Sequence, residues 1–494
     1  MRTTVLLSVA AFALLGAAAS CSEQTPRPLD AEPSADGGPD AAAADLSAPS
    51  SPCADPSDSV YGDPGPLAPD AAARGAIVKC AKEADLSKEA MQAKVTELGA
   101  TGKPLTSGAR VYRIAYRTER GDAAGTPSVS SALVYIPDTP RAEKLPVVVA
   151  ARGSRGQAAR CAVTKFDAAL EGINGDAWRM VYPLVGYGYA VILPDLAGYA
   201  NFGAAGNPPS AYAQASDVAR STLDGGRALK QLFPALDDKV VLVGHSQGGH
   251  SALSALALAE SYGTAAPIAG VAVYAPLWLS QRSWGAVLYP PVGRDFPLAE
   301  SSVGSISVWY HYTQAELLDG PGAGRKMFAA DKQDAVEAFV KSECWGSTEL
   351  AKSGALASDL FDPTFVSEIS LPAAAGGECS AEICQRWIDR YIADRPHLTG
   401  AAATTPVLLT YGLKDTTIPP NRMKCALDRL LTDDKANVTA CIDAEETHGG
   451  IVSARGEYVA DWIASVALGA SAPAACAADA TAIAEECATP PPND

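Results

Sequence analysis

The chain has 494 residues, 48% of them hydrophobic and 19% charged, with a net charge of −17. That length suits one large α/β domain with room for an insertion. The acidity argues against nucleic acid as a partner, because phosphate binding needs a basic stripe, and it suits the solubility of an exported protein.

In chain order, the first element is a targeting segment. "MRTTVLLSVAAFALLGAAAS" (1–20) has Arg2, an apolar run from Val5 and small residues before Cys21. The run is short for a bilayer span and reads as a cleaved signal peptide. Its "AAASC" ending resembles a bacterial lipoprotein cleavage site with Cys21 as lipid acceptor; ordinary cleavage after Ala19 is the alternative. Residues 21–60 are rich in Pro, Ala, Ser and Asp and nearly devoid of large apolar side chains. Such a segment cannot offset its ordering entropy by burial and is expected to be a disordered tether.

The folded body is expected from Tyr61. "VYRIAYRT" (111–118) and "SALVYIP" (131–137) alternate as half-exposed strands do. "LPVVVAA" (145–151), "YAVILPD" (189–195), "KVVLVGH" (239–245), "IAGVAVYAP" (268–276) and "TPVLLTYG" (405–412) are continuous apolar runs, the mark of strands covered on both faces, and "NVTACID" (437–443) is an eighth. Helical stretches at 174–186, 211–232, 250–261, 421–432 and 449–468 lie between or after them. The expectation is a mostly parallel eight-stranded sheet with helices on both faces. Residues 278–400, between the sixth and seventh strands, form a large insertion, far beyond an ordinary loop. The core is thereby split into 61–277 and 401–470, with a tail at 471–494. Trp278, Trp284 and Tyr289 in the insertion either line an acyl pocket or form the insertion's own core, the second being favoured for each residue.

"VVLVGHSQGGHS" (240–251) runs from strand through Gly-x-Ser-x-Gly into helix, the context of a nucleophile elbow. Gly244 and Gly248 permit a reversal where a Cβ would clash. The turn lifts Ser246 off the sheet and sets the Gln247 amide at a helix start, aimed at an oxyanion. Of five histidines, His448 in "EETHGG" follows the last strand, where the α/β-hydrolase order Ser, acid, His requires the base; His311 is the competitor. Asp415 in "LLTYGLKDTTIPP" follows the seventh strand and is the expected acid. Asp195 competes, its other role being to stabilise a turn. No doubled Cys-x-x-Cys occurs and the histidines are scattered, so neither metal nor organic cofactor is expected.

With these motifs in view the chain resembles the secretory lipase family of α/β hydrolases. "ARGSRG" followed by "CAV", then "YGYAVILPDLAGY", "GHSQGG", "YGLKDTTIPP" and "THGG" stand in the family's order across about residues 90–465. Where the family usually has His-Gly, this chain has Arg152-Gly153. The second oxyanion amide is expected from Ser154, with Arg155 the alternative. The resemblance implies ester hydrolysis in an oxidising, extracytoplasmic setting, and the residues imply the same chemistry through an acyl-enzyme on Ser246.

If Cys21 of the eleven cysteines carries lipid, ten remain, an even number that suits five disulfides in an exported protein. Closeness in sequence suggests Cys53–Cys80, Cys379–Cys384, Cys425–Cys441 and Cys476–Cys487, because short loops close at lower entropic cost. Cys161 and Cys344 are left for each other, fastening the insertion to the oxyanion loop. The expected protein is therefore an exported lipase or esterase acting on small-molecule or lipid esters, held to a membrane surface through Cys21 or else freely secreted. A serine peptidase of the prolyl-oligopeptidase type, an acyltransferase on the same triad and a non-catalytic surface protein are the alternatives. Too few residues lie between Tyr61 and Val111 for the peptidase's propeller blades.

Overall fold

Apolar strands and amphipathic helices alternate along the chain. The computed structural model describes residues 45–165, 171–200, 207–288, 297–299, 302–476 and 483, all within one unit, Ala43–Asp494. The strands are β1 (Ile77–Leu86), β2 (Ala109–Glu119), β3 (Pro127–Pro137), β4 (Val147–Ala151), β5 (Val191–Pro194), β6 (Val240–His245), β7 (Ile268–Tyr274), β8 (Val407–Gly412) and β9 (Val438–Asp443). They form one sheet in the order β1-β2-β3-β5-β4-β6-β7-β8-β9. β1, β2 and β3 pair antiparallel, β3 pairs antiparallel with β5, and every pairing from β5 through β4 to β9 is parallel.

The parallel strands carry the continuous apolar runs because both faces are covered. Every residue of β4, β5, β6 and β8 is buried. The helices are α1 (Lys88–Glu97), α2 (Glu171–Gly186), α3 (Ala215–Leu232), α4 (Gln247–Tyr262), α5 (Gln281–Leu288), α6 (Ser302–Leu318), α7 (Gln333–Ser342), α8 (Pro363–Ala375), α9 (Glu382–Ala393), α10 (Ala401–Thr404), α11 (Pro420–Thr432) and α12 (Gly450–Leu468). α3 packs with α4 on one face of the sheet and α2 with α12 on the other. The long segment between β7 and β8 is helical, α5 through α10, and Trp278 and Trp284 are each only 2% exposed within it. Trp284 stacks on Tyr310 at 4.1 Å and stands edge-on to His311, so these aromatics form the segment's own core. Tyr289 lies outside the described residues.

The sheet has nine strands, not the expected eight. The addition, β1, reads "IVKCAKEADL" and lacks clean alternation because it is a bulged edge strand. Its charged residues suit an edge, where they discourage pairing with another chain. The body also starts before Tyr61. Leu46 is 4% exposed, the Ser50 amide donates to Leu232 O (2.8 Å), and Cys53 is bonded to Cys80. Residues 45–60 are therefore packed, although the sequence assigns them to a tether. The segment's composition is unfavourable for burial, but Leu46, Val60, one disulfide and the bonds of Cys53 and Asp55 to β1 dock it.

Three expected disulfides are present: Cys53–Cys80, Cys161–Cys344 and Cys379–Cys384. The pairs Cys425–Cys441 and Cys476–Cys487 are overturned, because Cys441 is bonded to Cys476. Cys425 is also in a disulfide; Cys21 and Cys487 lie outside the described residues. Separation along the chain misleads here because closure entropy rises only slowly. Going from the 16 residues between positions 425 and 441 to the 35 between 441 and 476 costs about 0.7 kcal/mol. The return of the chain along α12 easily outweighs that. Among the described residues no helix is long and apolar enough to cross a membrane, and no His, Cys, Asp and Glu cluster is placed to hold a metal ion.

Candidate active site

The parallel order reverses between β4 and β6. β4 is followed in the chain by β5 on one side and flanked by β6 on the other, and such a switch point opens a crevice beyond the strands' carboxyl ends. The loop after β4 begins beside the loop after β6, since Ala151 is in register with Gly244. That register brings the stretch 152–156 against the Gly-x-Ser-x-Gly turn.

The turn is tight. A Cβ on Gly244 would lie 2.1 Å from Gly248 O, and one on Gly248 would lie 1.9 Å from Ala151 O. No side chain fits at either position. Between them Ser246 has φ 55° and ψ −121°, a combination that glycine tolerates and a Cβ resists. Its backbone is pinned on both sides: the Ser246 amide donates to Tyr274 O (3.0 Å), and Ser246 O accepts from the Leu277 amide (2.8 Å). Gln247 is the first residue of α4, so its amide has no intrahelical acceptor.

Two backbone bonds join the loops after β8 and β9. Leu413 N donates to Asp443 O (2.8 Å) and Lys414 N to Glu446 O (2.9 Å). They set Asp415 against His448, with His448 Nδ1 at 2.7 Å from Asp415 Oδ2. The other carboxylate oxygen, Oδ1, accepts from the amides of Thr417 and Ile418, both at 2.8 Å. Asp415 is thus fully committed, and its side chain is 0% exposed against 17% for His448. With Nδ1 engaged, the free nitrogen of His448 is Nε2. Desolvation and the neighbouring His245 charge lower the His448 pKa from its ordinary value, and together outweigh the Asp415 carboxylate, which raises it.

The Gly-x-Ser-x-Gly turn, His448 and the loop after β4 meet at one further pair. His245 Nδ1 lies 2.7 Å from Asp176 Oδ1, and His245 Nε2 lies 2.9 Å from His448 O. Asp176 Oδ2 accepts from the Gly153 amide at 2.7 Å. A Cβ on Gly153 would come within 3.4 Å of Ser246 Cβ, so this loop passes close over the serine. Sequence reasoning missed Asp176. It is one aspartate in an ordinary helical stretch, "INGDAW", and only its position near the start of α2, under the β4 loop, distinguishes it.

The loop after β4, where the second oxyanion amide is expected, is well anchored. Arg152, 3% exposed, donates through Nη1 to Gln247 Oε1 (3.1 Å) and through Nη2 to Asp195 O (2.9 Å). It thereby holds the elbow's glutamine side chain. Ser154 Oγ is 2.6 Å from Tyr212 OH. Arg155 O accepts from Trp345 N (2.8 Å), and Cys161 is bonded to Cys344, so the loop is fastened to the helical segment.

The competing residues are occupied elsewhere. Asp195 accepts from Ser131 Oγ (2.6 Å), Thr164 N (3.1 Å) and the Thr164 hydroxyl. His311 is enclosed by aromatics, with Nδ1 on Ser307 O and Nε2 on Tyr391 OH, and burial pushes its pKa down to about 3. His250 Nε2 contacts Asp394 O (2.7 Å), and burial takes its pKa to about 4.

The fold is similar to that of the rice cell wall degrading esterase LipA from Xanthomonas oryzae, with 18% identity, a TM-score of 0.58, and coverage of 80% of this chain and 98% of that one. It is also similar to Candida antarctica lipase A, with 17% identity, a TM-score of 0.61, and coverage of 85% of this chain and 87% of that one. No curated protein matches the chain by sequence. The family model described as "Alpha/beta hydrolase family" matches residues 172–432, more than half of the chain. The chain belongs to the alpha/beta hydrolase family.

Proposed function

We propose that the protein is a carboxylic ester hydrolase of lipase or esterase type, working through an acyl-enzyme on Ser246. One observation carries the reading: the main chain of His448, whose ring pairs with Asp415 at 2.7 Å, accepts from the ring of His245, the residue that precedes a serine held at positive φ in a Gly-x-Ser-x-Gly turn. Ser246 Oγ attacks the ester carbonyl carbon while His448 Nε2 takes its proton. His448 then passes that proton to the leaving alkoxide, freeing the alcohol. Water, deprotonated by His448, attacks the acyl-enzyme; the acid departs and the proton returns to Ser246. Asp415 fixes the Nδ1–H tautomer and stabilises the imidazolium.

The oxyanion is held by the amides of Gln247 and Ser154, each worth about 3 kcal/mol of barrier. Asp176 already takes the Gly153 amide, which favours Ser154 as the next donor along the loop. A neutral His448 at ordinary pH suits a general base. The esterase and lipase among the similar folds support an ester as substrate.

The disulfides favour an oxidising compartment. Export with lipid on Cys21 is the proposed route, and a mature N-terminus at any other residue in mass spectrometry contradicts the anchor. The decisive experiment for the chemistry is Ser246→Ala assayed on a ladder of p-nitrophenyl esters. Hydrolysis falls at least about a thousandfold with the fold intact; retained activity overturns the assignment.

A further inference from the structure

The Asp176–His245 pair has a proton requirement set by its partners. His448 O is a carbonyl and can only accept, so His245 Nε2 carries a hydrogen. Nδ1 faces a carboxylate oxygen whose partner oxygen accepts the Gly153 amide. An imidazole between two acceptors holds both protons and is cationic. Electrostatics agree. Burial opposes charge on both members, but each outweighs it for the other: Asp176 is held below the ordinary carboxylate range and His245 above the ordinary histidine range. The ring is 4.5 Å, centroid to centroid, from that of His448. Among the described residues, the further charged group acting on both rings is Asp415 after β8; Arg179 on α2 approaches Gly449, and Arg152 after β4 is on the Gln247 side chain.

We infer that His245 and Asp176 form a positioning clamp for the reaction: one imidazolium–carboxylate unit that ties together the elbow, the oxyanion loop at Gly153 and the main chain of the base His448, and that keeps a positive charge beside the base. The inference rests on His448 being the general base. Neither residue touches the substrate. His245 acts on His448 in two ways, by holding its carbonyl and by favouring its unprotonated form. Asp176 acts on the oxyanion loop by taking the Gly153 amide, which fixes the peptide that precedes Ser154.

The test is the pH dependence of kcat and kcat/KM for a p-nitrophenyl ester with His245→Gln and Asp176→Asn in the full chain. Misplacement of the base and the loop lowers kcat about 10- to 100-fold with KM little changed. In His245→Gln the cation is gone and the Asp176 charge remains, so His448 protonates more readily. The acid limb of kcat/KM moves upward by about one pH unit. An acid limb that stays in place while stability or kcat falls means a merely structural pair and overturns the clamp. If His245→Gln does not fold, nitrogen-15 NMR of the intact protein decides: His245 retains both ring protons at a pH where His448 carries one, and a singly protonated His245 overturns the proposal. Activity retained in His448→Ala would instead refute the triad, and is thus distinct from failure of the clamp alone.

Discussion

Asp415 meets His448 through one carboxylate oxygen only, Oδ2 on Nδ1 at 2.7 Å, while its Oδ1 is held by two backbone amides. The carboxylate therefore cannot rotate, and the imidazole inherits its orientation from the loop after β8. Asp415→Asn keeps an acceptor for the two amides but turns an NH2 group toward Nδ1, forcing the wrong tautomer. The expected result is a kcat loss of about 10³- to 10⁴-fold with the melting temperature nearly unchanged. Kinetics and thermal unfolding of the purified variant decide it; a small kcat loss removes Asp415 from the triad.

Ser246 is predicted to cost stability in return for its place at the tip of the turn. Its φ of 55° and ψ of −121° carry strain of about 1–3 kcal/mol for a residue with a Cβ. Ser246→Gly relieves it, less the entropy that glycine adds to the unfolded chain, whereas Ser246→Ala does not. The inactive glycine variant should exceed the inactive alanine variant by about 1 kcal/mol in denaturant unfolding. Equal stabilities would mean that the turn is unstrained.

The pH profile follows from His448. Desolvation comes first and the His245 charge second in lowering its pKa, against Asp415. In the proposed mechanism the unprotonated ring is the active form, so activity is lost as pH falls through the lowered value. The acid limb of kcat/KM should lie below about 6.5, the ordinary histidine value. A limb above that value contradicts the electrostatic picture.

The Cys161–Cys344 bridge spans 183 residues and joins the stretch beyond the oxyanion loop to the end of α7. In the chain-entropy model such a closure stabilises by about 5 kcal/mol, less any strain. Replacing both cysteines by alanine should lower the melting temperature and reduce turnover of long-chain esters more than short ones, because the helical segment and the oxyanion loop lose their fastening. Equal losses across the ester ladder would separate the bridge from substrate selection. Non-reducing peptide mapping should also recover the Cys441–Cys476 pair.

Much of this was legible in the chain because it is local. The apolar runs of β4 through β8 are continuous, since a strand buried on both faces has no polar side to show. Gly244 and Gly248 mark the elbow because no side chain fits at either position, and Ser246 stands between them. Ser246, Asp415 and His448 could be proposed from order alone, each following its own strand. Tertiary structure decided what depends on neighbours distant in sequence. β1 is a strand only because β2 offers it an edge, and its charges conceal the pattern. Leu46 is buried only because the body is there to cover it. The partner of Cys441 follows from where α12 returns the chain, which loop entropy is too weak to decide. Asp176 carries no motif; 69 positions separate it from His245, and only the packing of α2 beneath the β4 loop turns an ordinary helical aspartate into the partner of a buried histidine.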